Sequence, residues 1–314
     1  MTDFKRKILF VLFACVSTIF LLYPTSANTL PLTIEPPNII DIEKTDSVSA
    51  TGSIEYDIAT MTEQDIPMPT DNLENNMNQT NSYFPPNLLI ETESKQIIGN
   101  DNRRRVTNTT DFPNTTIGQI VITYKNGSQA VGTAWMYGNK VAVTAGHCVY
   151  SKADGGWARS VAFYPGKNGS KNPIGVFYAT QLYTDKKFVE SENSNFDWGM
   201  LRFKTNVADK TGYLGAEWTT ASQVGTNVIV RGYPAEKNKQ GQMWTGSGKI
   251  TGSGTSKTNY SIDTTGGQSG SPVYRISDEQ YRALAIHTNS YKNYNQGERI
   301  DKSLFKIITD ARQW

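Results

Sequence analysis

Apolar and polar positions give the chain three successive textures. An apolar run over 8–22 follows Lys5-Arg6-Lys7 and leads into Tyr23-Pro24-Thr25-Ser26-Ala27. Residues 28–95 scatter a few apolar positions, with no sustained period, among Asn, Thr, Pro and acidic groups. Beyond residue 96, short apolar or alternating runs recur at 117–124, 132–137, 141–144, 160–164, 199–203, 228–232, 260–263, 271–274 and 283–287. Gly, Asn, Lys and Ser clusters separate them. Many short strands with turn signals between them predict an all-β antiparallel barrel or sandwich. Leu304, Ile307, Ile308 and Ala311 recur at helical spacing, which predicts a closing amphipathic helix over 302–313. There is no internal repeat, and the polar stretch 205–214 is placed to link two halves of the β-rich part.

The first texture has the basic, apolar and small-residue order of a secretory signal peptide, predicted to span 1–27. Its apolar run is shorter than the ~20 residues of a membrane span. The second texture buries too little apolar surface to offset chain entropy and predicts a poorly ordered segment. Charge sharpens this division. The whole chain carries a net charge of +2, but residues 28–95 hold two basic against twelve acidic residues, and residues 96–314 hold 26 basic against 16 acidic. Asymmetry of this kind predicts two parts with different tasks. The basic residues are dispersed apart from Arg103-Arg104-Arg105, and no nucleic-acid motif accompanies them. Of two cysteines, Cys15 lies in the apolar run, which leaves Cys148 as a buried structural thiol with no intramolecular partner.

Three local patterns carry candidate chemistry. Val143-Thr144-Ala145-Gly146-His147-Cys148 ends an apolar strand in a small-residue turn and a histidine. Asn195-Phe196-Asp197-Trp198-Gly199 sets a carboxylate between two aromatics. Thr264-Thr265-Gly266-Gly267-Gln268-Ser269-Gly270-Ser271-Pro272 puts a serine in a glycine-rich loop before a strand. A serine hydroxyl becomes a nucleophile when a neutral imidazole takes its proton, and a buried carboxylate orients that imidazole. The oxyanion that follows needs convergent backbone N–H groups, which glycines allow, and these are assigned to Gly267 and Ser269. His147, Asp197 and Ser269 are therefore the candidate triad. Asp185 and Asp209 compete for the acidic position, and Ser271 and Ser261 for the nucleophile. Two histidines in separate segments show no metal-ligand spacing, so neither a metal nor a cofactor is expected.

The order His, Asp, Ser is that of chymotrypsin-like proteases. More narrowly, the part beyond residue 96 resembles the bacterial glutamyl endopeptidases of staphylococci and bacilli. The resemblance rests on Ile97-Ile98-Gly99 through Thr107, Thr144 to Cys148, Pro165-Gly166-Lys167-Asn168-Gly169, Asp197-Trp198-Gly199, Asp263 to Val273 and Ala285-Ile286-His287-Thr288-Asn289. It implies two antiparallel six-stranded β-barrels, roughly 96–208 and 209–300, with a C-terminal helix over 302–313, preceded by a signal peptide (1–27) and an acidic propeptide (28–95). It also implies a secreted, monomeric endopeptidase made as a zymogen and cutting after Glu, less often Asp. Thr264 and His287 match the residues that bind the substrate carboxylate in the S1 pocket. Lys95–Gln96 matches the activating cut, made by another protease, whose freed α-amino group at Gln96 approaches that pocket. Relatives in bacilli have a cysteine matching Gly132, bridged to the one matching Cys148; this chain lacks that staple.

Three alternatives stay open in the sequence. Asp263 stands six positions before Ser269, where trypsin keeps its S1 aspartate, so cleavage after Arg or Lys is a rival reading. A protease restricted to one host protein, as the related exfoliative toxins are, is another. A non-enzymatic exported binder is the third. The residue before Ser269 is Gln268, so no carboxylate waits there for a new N-terminus as one does in trypsin.

Overall fold

The computed structural model describes residues 52–69, 77–89, 103–236 and 238–314. The signal-peptide reading, Lys95 and Gln96 lie outside them. The strands are β1 (Ser53–Asp57), β2 (Thr62–Ile66), β3 (Arg104–Arg105), β4 (Ile117–Tyr124), β5 (Gln129–Met136), β6 (Val141–Thr144), β7 (Tyr150–Ser151), β8 (Gly156–Pro165) and β9 (Phe177–Asp185). Helix α1 (Lys186–Ser191), β10 (Gly199–Phe203), α2 (Ala208–Thr211) and β11 (Gly215–Ala216) follow. The second half holds β12 (Asn227–Gly232), β13 (Trp244–Ser253), β14 (Lys257–Tyr260), β15 (Pro272–Ser277), β16 (Gln280–Ser290), β17 (Asn295–Arg299) and α3 (Lys302–Ala311).

Pairing closes two rings of six antiparallel strands. In the first, β4 joins β5, β6, β10, β9 and β8 in turn and then meets β8 on its other side. In the second, β12, β13, β14, β17, β16 and β15 close through the β12–β15 pair. The first ring surrounds Ile120, Ile122, Phe163, Leu182 and Leu201; the second surrounds Val228, Val230, Ile250, Val273 and Leu284. Burying large aliphatic side chains stabilises each by about 1.5–3 kcal/mol. The stretch 205–214 runs from the first ring towards the second and carries α2. Helix α3 starts where the Asp301 carboxylate accepts from the Leu304 N–H at 2.8 Å, an N-cap that satisfies one otherwise unpaired donor. Its buried Leu304, Phe305, Ile307, Ile308 and Ala311 join a cluster with Trp135 and Tyr137 of the first half and Tyr274 and Ala283 of the second.

The expectation of a poorly ordered leader does not hold for residues 52–69 and 77–89. Beyond Tyr178, β9 parts from β8, and β1 takes the vacated edge in a five-residue antiparallel register, with β2 outside it. Tyr56 stacks on Trp157 with ring centroids 5.2 Å apart, and the Trp157 Nε1–H donates to Glu63 at 2.7 Å. Tyr183 and Gln181 donate to Glu55 at 2.6 and 2.8 Å. Residues 77–89 run as a strap along the second half: Thr80 and Ala216 exchange bonds, and Arg282 donates to Thr80 O and Asn81 Oδ1. A Cβ at Gly215 would meet Thr80 O at 2.1 Å, so the strap's closeness requires glycine there. These residues include few apolar side chains, but Ile54 and Tyr56 pack into the first ring's core with Trp157 and Leu182.

Candidate active site

His147 follows β6 in a single 3-10 turn, Gly146–Cys148, and Asp197 follows another, Ser194–Phe196, just before β10. Strands β6 and β10 are neighbours, with Thr144 opposite Gly199, so the sheet brings residues fifty apart together. The His147 backbone N–H donates to Asp197 Oδ1 at 2.9 Å, and ring Nδ1 lies 2.9 Å from Oδ2. The aspartate side chain is 6% exposed and the histidine side chain 40%. Burial opposes the charge of each, yet the pair prevails: Asp197 is held below the ordinary carboxylate range, and the pKa of His147 lies well above the ordinary histidine value. Lys257, buried on β14, adds to the field on Asp197; its Nζ bonds Glu298 at 2.7 Å and the carbonyl of Ser194.

The competing carboxylates have other employment. Asp185 caps α1 by accepting from the Lys187 N–H at 2.9 Å, and burial raises its pKa to about 6. Asp209 sits in α2 and accepts from Asn206.

Ser269 lies in the loop between β14 and β15, and that loop packs on the histidine turn. The Thr133 N–H donates to Ser269 O at 2.8 Å, and Cys148 Sγ lies 3.9 Å from the same oxygen. Cys148 is a free, buried thiol. Gly267 adopts φ +89°, a left-handed conformation that favours glycine. Two carbonyls fix the neighbouring peptide planes. Gly266 O accepts from the Ala235 N–H at 2.7 Å, and Gln268 O accepts from the Ser271 N–H at 2.9 Å. In a trans peptide the N–H points opposite to the C=O. The N–H groups of Gly267 and Ser269 are therefore turned away from those contacts, and neither donates to a group among the described residues.

His287 lies on β16, beside this loop. Its carbonyl accepts from the Gly270 N–H at 2.7 Å, and its own N–H donates to Ser271 O at 2.9 Å. The ring is buried, and Nδ1 lies 2.5 Å from the Tyr260 hydroxyl. Burial, with His147 nearby, lowers the His287 pKa to about 3, so the imidazole is neutral across the working pH range. Burial also raises the Tyr260 pKa, so its phenol stays protonated and shares a hydrogen bond with Nδ1. Thr264 Oγ1 lies 2.9 Å from Ser290 Oγ, and Asp263 is exposed. Tyr260, Lys257 and Arg103 carry no site role in the sequence, although Arg103 stands in the Arg103-Arg104-Arg105 run; each acts on a partner far away in the chain. Among the described residues, no three His, Cys, Asp or Glu side chains are grouped to hold a metal ion.

Residues 132–284 match the family model of a trypsin-like peptidase domain. With two six-stranded barrels and the glycine-rich Ser269 loop at their seam, the chain is a serine endopeptidase of the chymotrypsin type. It is 39% identical over 226 residues to the glutamyl endopeptidase of Bacillus licheniformis, covering 69% of each chain. It is 40% identical over 219 residues to a Bacillus subtilis protein named extracellular metalloprotease, again covering 69% of each. A solved Glu endopeptidase structure in complex with MPD superposes with a TM-score of 0.61 at 28% identity, over 69% of this chain and 99% of that one. The chain belongs to the glutamyl endopeptidase family.

Proposed function

We propose that the chain is an exported zymogen of an endopeptidase that cuts after Glu, less often Asp, through His147, Asp197 and Ser269. His147, held by Asp197 through Nδ1, uses Nε2 to take the Ser269 proton as Oγ attacks the scissile carbonyl. The oxyanion settles between the N–H groups of Gly267 and Ser269. The imidazolium, stabilised by Asp197, then protonates the leaving amine, and water repeats the sequence on the acyl-enzyme. The observation that carries this reading is the pair of unengaged N–H groups in the loop packed on the His147–Asp197 turn. Removing one such donor weakens the transition state by about 3–4 kcal/mol.

For the acidic side chain, His287 and Thr264 are the recognition groups. With the Tyr260 hydroxyl donating to Nδ1, the neutral imidazole would offer Nε2–H to a carboxylate, and the wrong side chain would leave that donor unfilled. Asp263 is exposed instead of buried at a pocket base, which weighs against cleavage after Arg or Lys. The names of the Bacillus licheniformis relative and of the solved neighbour point the same way. The signal-like start favours export, and among the described residues no helix is long and apolar enough to cross a membrane. Cutting Lys95–Gln96 would sever the covalent link between the leader and the enzyme, which acts as a monomer; N-terminal sequencing of the active form checks that bond.

The test is P1 profiling of wild type, Ser269→Ala and His287→Ala on a peptide library. Wild type should cut after Glu, Ser269→Ala should be inactive, and His287→Ala should lose the Glu preference while still reacting with a serine-directed fluorophosphonate. Efficient turnover of Arg-P1 peptides with none of Glu-P1 peptides would overturn the specificity. Absence of fluorophosphonate labelling in processed wild type would overturn the catalytic reading in favour of a binder.

A further inference from the structure

Arg103 is buried behind the nucleophile loop, 7% exposed. Its Nη1 donates to Thr265 Oγ1 at 3.0 Å and to Gln268 Oε1 at 3.3 Å, and its Nη2 donates to Glu236 Oε1 at 2.8 Å. Gln268 is fully buried, and the same Oε1 accepts from the Thr265 N–H at 3.0 Å, while the Gln268 N–H returns a bond to Thr265 O at 3.1 Å. The guanidinium therefore grips both ends of the turn 265–268, whose middle is Gly266-Gly267. On its other side Glu236, itself paired with Lys239 at 2.8 Å, neutralises the buried cation. The same short segment holds Ala235, whose N–H fixes the Gly266 carbonyl. One planar fork thus ties the two segments that orient the Gly267 peptide, a task a single ammonium cannot perform in the same way.

We propose that Arg103 is the positioning residue of the oxyanion loop, acting through Thr265 and Gln268, and that it sets the loop in the uncut chain. The proposal rests on the reading of Gly267 and Ser269 as oxyanion donors. Where a chymotrypsin-type enzyme waits for a new α-amino group to pair with a carboxylate before the serine, this chain carries an amide at that position and a cation of its own beneath it. Both are held while residues 52–69 and 77–89 of the leader are docked. Cleavage after residue 95 is then not the event that builds the hole.

The experiment compares wild type, Arg103→Met and Arg103→Lys, each normalised by thermal melting and circular dichroism to its folded fraction. The readouts are kcat, KM for a Glu-P1 peptide and inhibition by the matching peptidyl aldehyde, whose hemiacetal oxygen needs the hole. Uncut wild type is labelled in parallel with a small fluorophosphonate. Arg103→Met should lose roughly 100-fold in kcat and a similar factor in aldehyde affinity, with KM within about threefold. Arg103→Lys should regain part of both, and uncut wild type should label within about tenfold of the processed rate. Folded Arg103→Met with unchanged kcat and aldehyde affinity would overturn the positioning role. Uncut wild type that labels more than about 100-fold slower than processed enzyme would overturn the preformed loop. Processed wild type that neither labels nor binds the aldehyde would overturn the underlying oxyanion reading, and this inference with it.

Discussion

At His147 the decisive quantity is the proton on Nε2. Asp197 raises the pKa of His147 well above its ordinary value of 6.5, against the pull of burial, so under the proposed mechanism activity should fall as pH drops through that raised pKa. Replacing Asp197 by Asn removes the attraction that raises it. The acid limb of kcat/KM for Asp197→Asn should therefore move to lower pH, and kcat should fall by roughly 10⁴-fold because the ring is held in the wrong tautomer. A pH–rate profile of the two proteins checks both; an acid limb that stays in place would show that Asp197 does not set the His147 pKa. These residues were legible in the sequence because each sits in a short motif whose chemistry is local. Their supports were not. Arg103 acts on residues more than 130 positions away, Lys257 on Ser194, and Tyr260 on His287, and only the closed barrels create those meetings.

Short apolar or alternating runs, such as 117–124, 141–144 and 199–203, were readable to the residue. Strand β13 was not: its sequence, WTGSGKITGS, looks like linker, and only pairing with β12 and β14 makes it a strand. The run expected at 260–263 is displaced, since β14 ends at Tyr260 and the chain then turns towards the nucleophile loop. Two substitutions probe single elements. On β5, a Cβ built at Gly132 lies 2.9 Å from Cys148 Sγ, within disulfide reach. Oxidised Gly132→Cys should gain about 3 kcal/mol over its reduced form in urea unfolding, with kcat unchanged. At the start of α1, burial raises the Asp185 pKa from 3.8 to about 6, against the lowering pull of the Lys187 N–H and the Trp198 indole. The folded state therefore holds this proton more tightly than the unfolded state. The stabilisation is present below pH 3.8 and lost as pH rises through 6. Asp185→Asn keeps a capping oxygen and removes the buried charge, so its Tm should exceed that of wild type at pH 8 and match it near pH 4.

At the scale of the molecule, the leader is partly built into the fold. Ile54 and Tyr56 are buried, and Glu55 and Glu63 accept hydrogen bonds from Tyr183 and Trp157. Nothing in a segment of twelve acidic and two basic residues announces this, because its few apolar side chains have meaning only against Trp157 and Leu182. A chain cut after residue 95 should therefore retain a leader fragment spanning 52–89 through native mass spectrometry. Tyr56→Ala should release it more readily, and refolding of residues 96–314 alone should recover less active enzyme than refolding of the whole chain.

The place that β1 occupies has a further consequence. Once the fragment leaves, Gln181 to Asp185 present a row of backbone donors and acceptors with nothing alongside, next to the uncovered face of Trp157. That gap suits any extended segment of about five residues, including the same stretch of a second molecule, so solubility at high concentration becomes a property the departing hairpin had been supplying.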